Sequence, residues 1–341
     1  MKVSAVLTTL ASLTSIGQAG KKRIIVDSDM LNFDDDPLAI GLANIFDVWG
    51  EVDLIGVMSS IGSRWAPPAM DAINTFFGHP EVPVAVIKPT NNQTQDPDYP
   101  EYGDYLTGLT TQFPEDVITG DLTPDPVASY RYLLSTSAND SITIAVIGFF
   151  DNMYNLMHSG PDVISPLTGV ELLNAKVKEL VVQANDVGTS FNTGAHNTTY
   201  AQYVLNHWEK PLTLASDDVG DNTIIGSRIT TELNITSNPL GYALRTNIGY
   251  NQTHKVWDAV AVYYAACGLD DMFDWKYPRG GKISLNGSAY ATWSNATGYH
   301  AGLQNSIEFR VPNTTFAARL ENTLLWEPGD RIPRNRTWCK F

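Results

Sequence analysis

Apolar positions along this chain fall into short continuous runs, separated by stretches in which they recur every three or four residues. Runs at 24–26, 52–58, 84–86, 142–147, 179–182 and 212–215 are bounded by turn residues and are too short for helices, so they read as buried strands. Between them, 37–46, 68–77, 126–135, 152–158 and 199–207 carry the amphipathic spacing of helices. This alternation predicts an α/β fold, an open, mostly parallel sheet flanked by helices. A further helix is expected over 258–266, stopped by Gly268, then a pair of strands between 282 and 311 and a last helix over 314–326. Residues 93–125, rich in Pro, Gly, Tyr and Asp, read as a long surface excursion of the kind that serves as a lid or binding loop.

The first apolar run is followed at once by five carboxylates within ten residues: Asp27, Asp29, Asp34, Asp35 and Asp36. Like charges packed this closely repel and raise one another's pKa, and a bound cation relieves the repulsion. A donor set of oxygens without His or Cys suits a hard ion, Ca²⁺ or Mg²⁺. The C-terminal end of a strand is also where open α/β sheets place their ligands. Capping of a helix that starts at Pro37 accounts for Asp36 but not for Asp27 and Asp29. An EF-hand is excluded, because the loop lacks the glycine at its sixth position and the closing Glu. A second chemistry is open here. Phosphatases of the haloacid-dehalogenase type place an Asp nucleophile and an Asp acid two residues apart after a strand, as Asp27 and Asp29 stand, and work with Mg²⁺. That reading gives Asp35 and Asp36 no role.

Composition narrows the setting. Residues 1–19 have the form of a secretory signal peptide: Lys2, an apolar stretch too short and polar to span a bilayer, and Gly17-Gln18-Ala19 before the cleavage point. The remaining 20–341 show no linker or repeat and read as one domain. Nine Asn-x-Ser/Thr sequons agree with passage through a eukaryotic secretory pathway. Eight are glycosylation candidates: Asn92, Asn139, Asn234, Asn251, Asn286, Asn295, Asn313 and Asn335. The ninth, Asn197, has a competing reading below. Cys267 and Cys339 are the two cysteines and permit one disulfide. A net charge of -15 argues against nucleic acid polymers and anionic membranes as partners.

Asp27-Ser28-Asp29 and Asp35-Asp36-Pro37-Leu38-Ala39 closely resemble the N-terminal signature of the inosine–uridine-preferring nucleoside hydrolase family. The loop between them is longer than in the shortest family versions and lacks the usual Gly. Gly56 to Gly62 resembles the family's second strand and turn, and Ile147-Gly148-Phe149-Phe150-Asp151-Asn152 its Thr-Gly-Pro-Leu-Thr-Asn segment. Phe191 to Asn197 is similar to the segment that carries two sugar-binding Asn residues and a Glu, although the Glu is missing. Trp257-Asp258-Ala259-Val260-Ala261 resembles the family's C-terminal His-Asp or Trp-Asp motif.

The resemblance implies a Rossmann-like nucleoside hydrolase core in a secreted eukaryotic protein of fungal type. Its activity would be hydrolysis of the N-glycosidic bond of ribonucleosides with one Ca²⁺ per chain, and a homodimer is admissible. Asp29 would be a metal ligand and the base for the attacking water, Asp36 a bidentate ligand, Asp258 a third, and Ile147 would add its backbone carbonyl. Asp35, Asn192 and Asn197 would hold ribose hydroxyls, and Asp27 would steady the loop from behind. Trp257 would stack on the base, with purines favoured, and Trp65 would be a second wall of the base pocket. His254, one helical turn before Asp258, reads as a surface residue. Besides the phosphatase, a non-catalytic secreted homologue is the remaining alternative, motivated by the missing Glu.

Overall fold

A computed structural model describes residues 21–31, 33, 35–97, 100–184, 186–189, 196–295, 303–333 and 339. Its strands are β1 (Lys22–Ser28), β2 (Val52–Ser59), β3 (Val84–Val86), β4 (Ile142–Val146), β5 (Val177–Ala184), β6 (Leu212–Ser216), β7 (Ile224–Ile225), β8 (His254–Lys255), β9 (Phe273–Trp275), β10 (Gly281–Leu285), β11 (Ala291–Asn295) and β12 (Gln304–Phe309). The main sheet runs β3-β2-β1-β4-β5-β6-β12-β10-β11, and β9 pairs with β12. Pairing is parallel from β3 to β6 and on to β12, and antiparallel where β10 meets β12 and β11. β7 and β8 form a separate two-stranded sheet. The chain thus starts in the middle of the sheet at β1, moves outward through β2 and β3, and returns to the other side of β1 with β4. That reversal leaves a crevice beyond the C-terminal ends of β1 and β4, where doubly wound sheets bind ligands.

The predicted continuous apolar runs are explained by burial on both faces. Ile24 and Val26 face one core cluster and their neighbour Ile25 the other. Helices Asp35–Val48, Ala66–Phe76, Pro239–Ile248, Asp258–Cys267 and Asn313–Leu324 contribute to the first cluster. Helices Pro126–Ser135, Asp151–Met157, Gly169–Lys176 and Thr198–His207 contribute to the second. Every residue of Asp258–Cys267 is buried, which is why its sequence is apolar all round rather than striped.

Cys267, at the end of that helix, is joined to Cys339 by a disulfide spanning 72 residues of sequence. The excursion over 93–125 is more ordered than its composition implies: it holds the helix Leu106–Gln112 and the 3₁₀ turn Gly120–Leu122. Among the described residues, no helix is long and apolar enough to cross a membrane. Six sequon asparagines (Asn92, Asn139, Asn234, Asn251, Asn286 and Asn295) are exposed, Asn313 is half-buried, and Asn335 lies outside the described residues.

Candidate active site

The ends of three neighbouring strands are tied together at the crevice. The Asp27 carbonyl accepts the amides of Ile147 at 2.7 Å and Gly148 at 3.1 Å, which fastens the end of β1 to the turn after β4. A Cβ on Gly148 would lie 2.5 Å from the Asp29 nitrogen, so a side chain there would force the two strand ends apart. Ser60, just past β2, donates its hydroxyl to the Ser28 carbonyl at 3.1 Å and accepts the Phe149 amide at 3.0 Å.

Onto this platform the helix Asp35–Val48 delivers two buried carboxylates in its first turn, where its unpaired amides favour negative charge. The Ser28 hydroxyl donates to Asp36 Oδ1 at 2.5 Å. The amides of Trp257 and Asp258 donate to Asp35 Oδ2 at 2.8 and 3.1 Å, so Asp35 caps the buried helix that carries Asp258. Carboxylate oxygens of Asp35, Asp36 and Asp258 lie within 4.8 Å of one another. Oxygens at that spacing, all from buried carboxylates, are what one hard divalent cation bridges. Burial, and after it the Asp35 carboxylate, raises the pKa of Asp29 to about 7. Asp27 lies wholly beneath the site. Its carboxylate accepts from the Tyr130 hydroxyl at 2.7 Å and from Asn152 Nδ2 at 2.9 Å. Burial lifts its pKa to about 7 against those two hydrogen bonds. A carboxylate enclosed in this way cannot act as a nucleophile on a bound ligand, which removes the structural basis of the phosphatase reading.

Above the platform opens a cavity of about 740 Å³, whose walls include Asp29, Asp35, Asp36 and Asp258. On the side of the 93–125 excursion stands an aromatic group. Phe33 and Trp257 line the cavity, with ring centroids 6.0 Å apart. Tyr102 and His254 pack edge-on against them, and the Tyr102 hydroxyl lies 3.1 Å from His254 Nε2. Gly220 admits the Trp257 ring, since a Cβ there would sit 2.0 Å from it. On the side of β4 and β5 the wall contains Phe149, Asp151, Gln183 and His196.

Several expectations change. The described carboxylates that converge within 4.8 Å are Asp35, Asp36 and Asp258, and Asp29 lines the same cavity beside them; Asp35 therefore joins the group for which the resemblance implied a ribose contact alone. Trp65 is not on the cavity wall; it immediately precedes the helix Ala66–Phe76 and packs against the core. Asn197 is also off the wall: it caps the helix Thr198–His207 by accepting the Tyr200 amide at 3.2 Å. Ile147 is buried, and its amide donates to the Asp27 carbonyl, a contact that does not involve the Ile147 carbonyl to which the resemblance gives a role; Asn192 lies outside the described residues. His254 is half-buried support for Trp257 rather than a surface residue. Asp151 and His196 went unassigned, although both fall in segments that the resemblance had marked.

No protein-family model and no curated protein sequence matches the chain. Solved structures do. A purine-preferring ribonucleoside hydrolase from Gardnerella vaginalis superposes with a TM-score of 0.65 at 15% identity, covering 89% of this chain and 99% of that one. A plant nucleoside hydrolase gives 0.63 at 14% identity, with the same coverage of both chains. An inosine–uridine-preferring nucleoside hydrolase from Bacillus anthracis gives 0.60 at 12%, again over 89% and 99%. Over nearly its whole described length, this chain has the nucleoside hydrolase fold.

Proposed function

We propose that this protein is a secreted, Ca²⁺-dependent ribonucleoside hydrolase that releases free base and ribose and favours purine nucleosides. The observation that carries the reading is the buried Asp35/Asp36/Asp258 cluster opening, with Asp29, into a cavity walled by Trp257 and Phe33. Asp36 and Asp258 would hold the cation, with Asp35 and Asp29 adjoining it. A bound divalent cation would supply positive charge that orients the vicinal ribose hydroxyls and makes water more acidic. Asp29, whose pKa is raised toward neutrality, suits the role of proton acceptor from the attacking water. The carboxylates also stabilise the positive charge that develops on the ribosyl ring as the N-glycosidic bond breaks. Asp35, fixed by two backbone amides, can accept from a ribose hydroxyl with its other oxygen. Trp257 offers its indole face to the base, and an aromatic pair adds about 0.5–1.5 kcal/mol beyond area burial; a bicyclic purine covers more of that face than a pyrimidine. The exposed sequons and the disulfide accord with secretion.

The test is to incubate purified protein with inosine, adenosine, guanosine, uridine and p-nitrophenyl phosphate, before and after chelation and with Ca²⁺ or Mg²⁺ restored. Ribose release that Ca²⁺ restores, with higher kcat/KM on purine nucleosides, is the expected result. Phosphate release, or silence on every nucleoside with calcium bound, would overturn it.

A further inference from the structure

Asn197 heads a sequon, Asn197-Thr198-Thr199, that the reaction described above leaves without a role. An N-linked sugar is joined through the side-chain nitrogen of Asn. A modified site in a folded protein therefore needs that nitrogen open to solvent, while the amide oxygen can hold other bonds. Asn197 shows this division. Its Oδ1 accepts the Tyr200 amide at 3.2 Å and so caps the helix Thr198–His207. Its Nδ2 donates to no partner among the described residues, nor is it one of the enclosed polar atoms that lack one, so it reaches solvent from a half-buried residue. Thr199, whose hydroxyl completes the sequon, is exposed. The exposed Asn234 and Asn286 also use Oδ1 locally, the first for the Thr236 amide and the second for those of Ser288 and Tyr290. Asn313, which is likewise half-buried, is the reverse case. Its Nδ2 donates to the Asn222 carbonyl at 2.9 Å, so a sugar on that nitrogen would crowd the Asn222 backbone.

The place of Asn197 in the fold gives such a sugar a definite position. The preceding residue, His196, lines the cavity and lies flat on Phe149, ring centroids 4.0 Å apart. Asn197 itself is off the cavity wall. Its helix is held beside the cavity by Tyr200, which stacks on Tyr154 of the helix after β4 with centroids 3.8 Å apart. A glycan is bulky and stays in water, so one attached here stands at the rim and outside the space the substrate occupies. We propose that Asn197 is an N-glycosylation site whose glycan stands at the rim of the cavity, next to His196. This inference rests on the secretion part of the reading above and places Asn197 outside the bond-breaking and sugar-binding machinery.

The experiment expresses the full chain, residues 1–19 included, in a eukaryotic secretory host. Peptides of the secreted protein are treated with peptide N-glycosidase in heavy-oxygen water, which marks each formerly glycosylated Asn by its mass. The mark is expected at Asn197 in wild type and should vanish in Thr199→Val, which keeps Asn197 and its cap. An unmarked Asn197 in secreted protein whose Asn139 and Asn234 are marked would overturn the site and leave the secretion reading intact. A chain retained in the cell with every sequon unmarked would instead remove that reading, and the site with it. Kinetics separate the glycan site from a ribose contact. Ser ranks with Asn as a helix cap, so Asn197→Ser and Thr199→Val both lose the sequon and keep the helix start. Their kcat/KM values on inosine should agree within about twofold, whereas a loss of about tenfold or more in Asn197→Ser alone, the value of a buried hydrogen bond, would return Asn197 to the substrate and overturn the proposal.

Discussion

At the residue scale, the acidic cluster was legible because five Asp residues after an apolar strand have few structural explanations, but its internal geometry was not. Sequence spacing cannot say whether a strand-end carboxylate or two neighbours on one helical turn meet Asp258; that depends on how the chain turns between Leu31 and Asp35. Trp65 and Asn197 show the opposite limit, since an aromatic after a turn and an Asn before a helix were each read for their chemistry, while packing and capping claimed them. The cluster makes a prediction that needs no turnover. Three buried carboxylates within 4.8 Å repel when no cation is bound. Asp36→Asn should therefore melt at or above the temperature of metal-free wild type. Wild type should gain about 2.7 kcal/mol at calcium a hundredfold above its dissociation constant, and the variant should gain far less. Thermal melts of both proteins with and without calcium decide it; equal calcium stabilisation would show that Asp36 is not a ligand.

At the element scale, segments with a clear apolar run or helical period lie within a residue or two of the expected limits: the helix Pro126–Ser135 matches outright, and so does the short apolar run Val84–Val86. Elements whose apolar pattern is weak escape that reading. Gly169–Lys176 could have been found from its capping box, in which Thr168 and Glu171 satisfy each other's backbone amides, and Pro239–Ile248 from its Asn238 cap and Pro at the first turn. The three-residue β9 has no comparable signal and exists through pairing with β12. One connection between elements also makes a pH prediction. Arg131, buried in the helix Pro126–Ser135, is held by the exposed Asp162 through two bonds of 2.8 and 2.9 Å and by the carbonyls of Ser165 and Leu167. Hydrogen bonds from Arg131 depress the Asp162 pKa from 3.8 to about 2. Because the folded value lies below the unfolded one, this pair's stabilisation is complete above about pH 4 and is lost as pH falls toward 2. Wild type should lose melting temperature more steeply over that window than Asp162→Asn, which should also melt lower at pH 7. Parallel curves for the two proteins would mean that the pair contributes nothing measurable.

At the scale of the whole molecule, the strand order places the site, and the disulfide acts on the far side of the same frame. Reversal of the strand order between β3 and β4 opens the crevice beside β1, and the buried helix Asp258–Cys267 spans from that crevice to the disulfide. Ten helical residues cover about 15 Å, so Cys267 is remote from the carboxylates at the other end. Sequence could count two cysteines, but not show that their Cα atoms approach to 4.5 Å. Cross-linking residues so far apart in sequence restricts the unfolded chain, an effect typically worth 2–4 kcal/mol in that entropic picture and about 4 for a loop of this length. For a domain of this size, about 3 kcal/mol corresponds to a fall of about 5 °C in Tm. Cys339→Ser should show that fall, because it deletes the bond while leaving the helix and its N-terminal carboxylate in place. Its kcat/KM on inosine at 25 °C should stay within about twofold of wild type, since the loss lies in the unfolded ensemble rather than in the cavity. Scanning calorimetry together with steady-state kinetics separates the two effects. A variant with unchanged Tm would show that the bond does not constrain the chain, and one with full stability but much reduced turnover would show that the Cys267 end of the helix controls the position of Asp258.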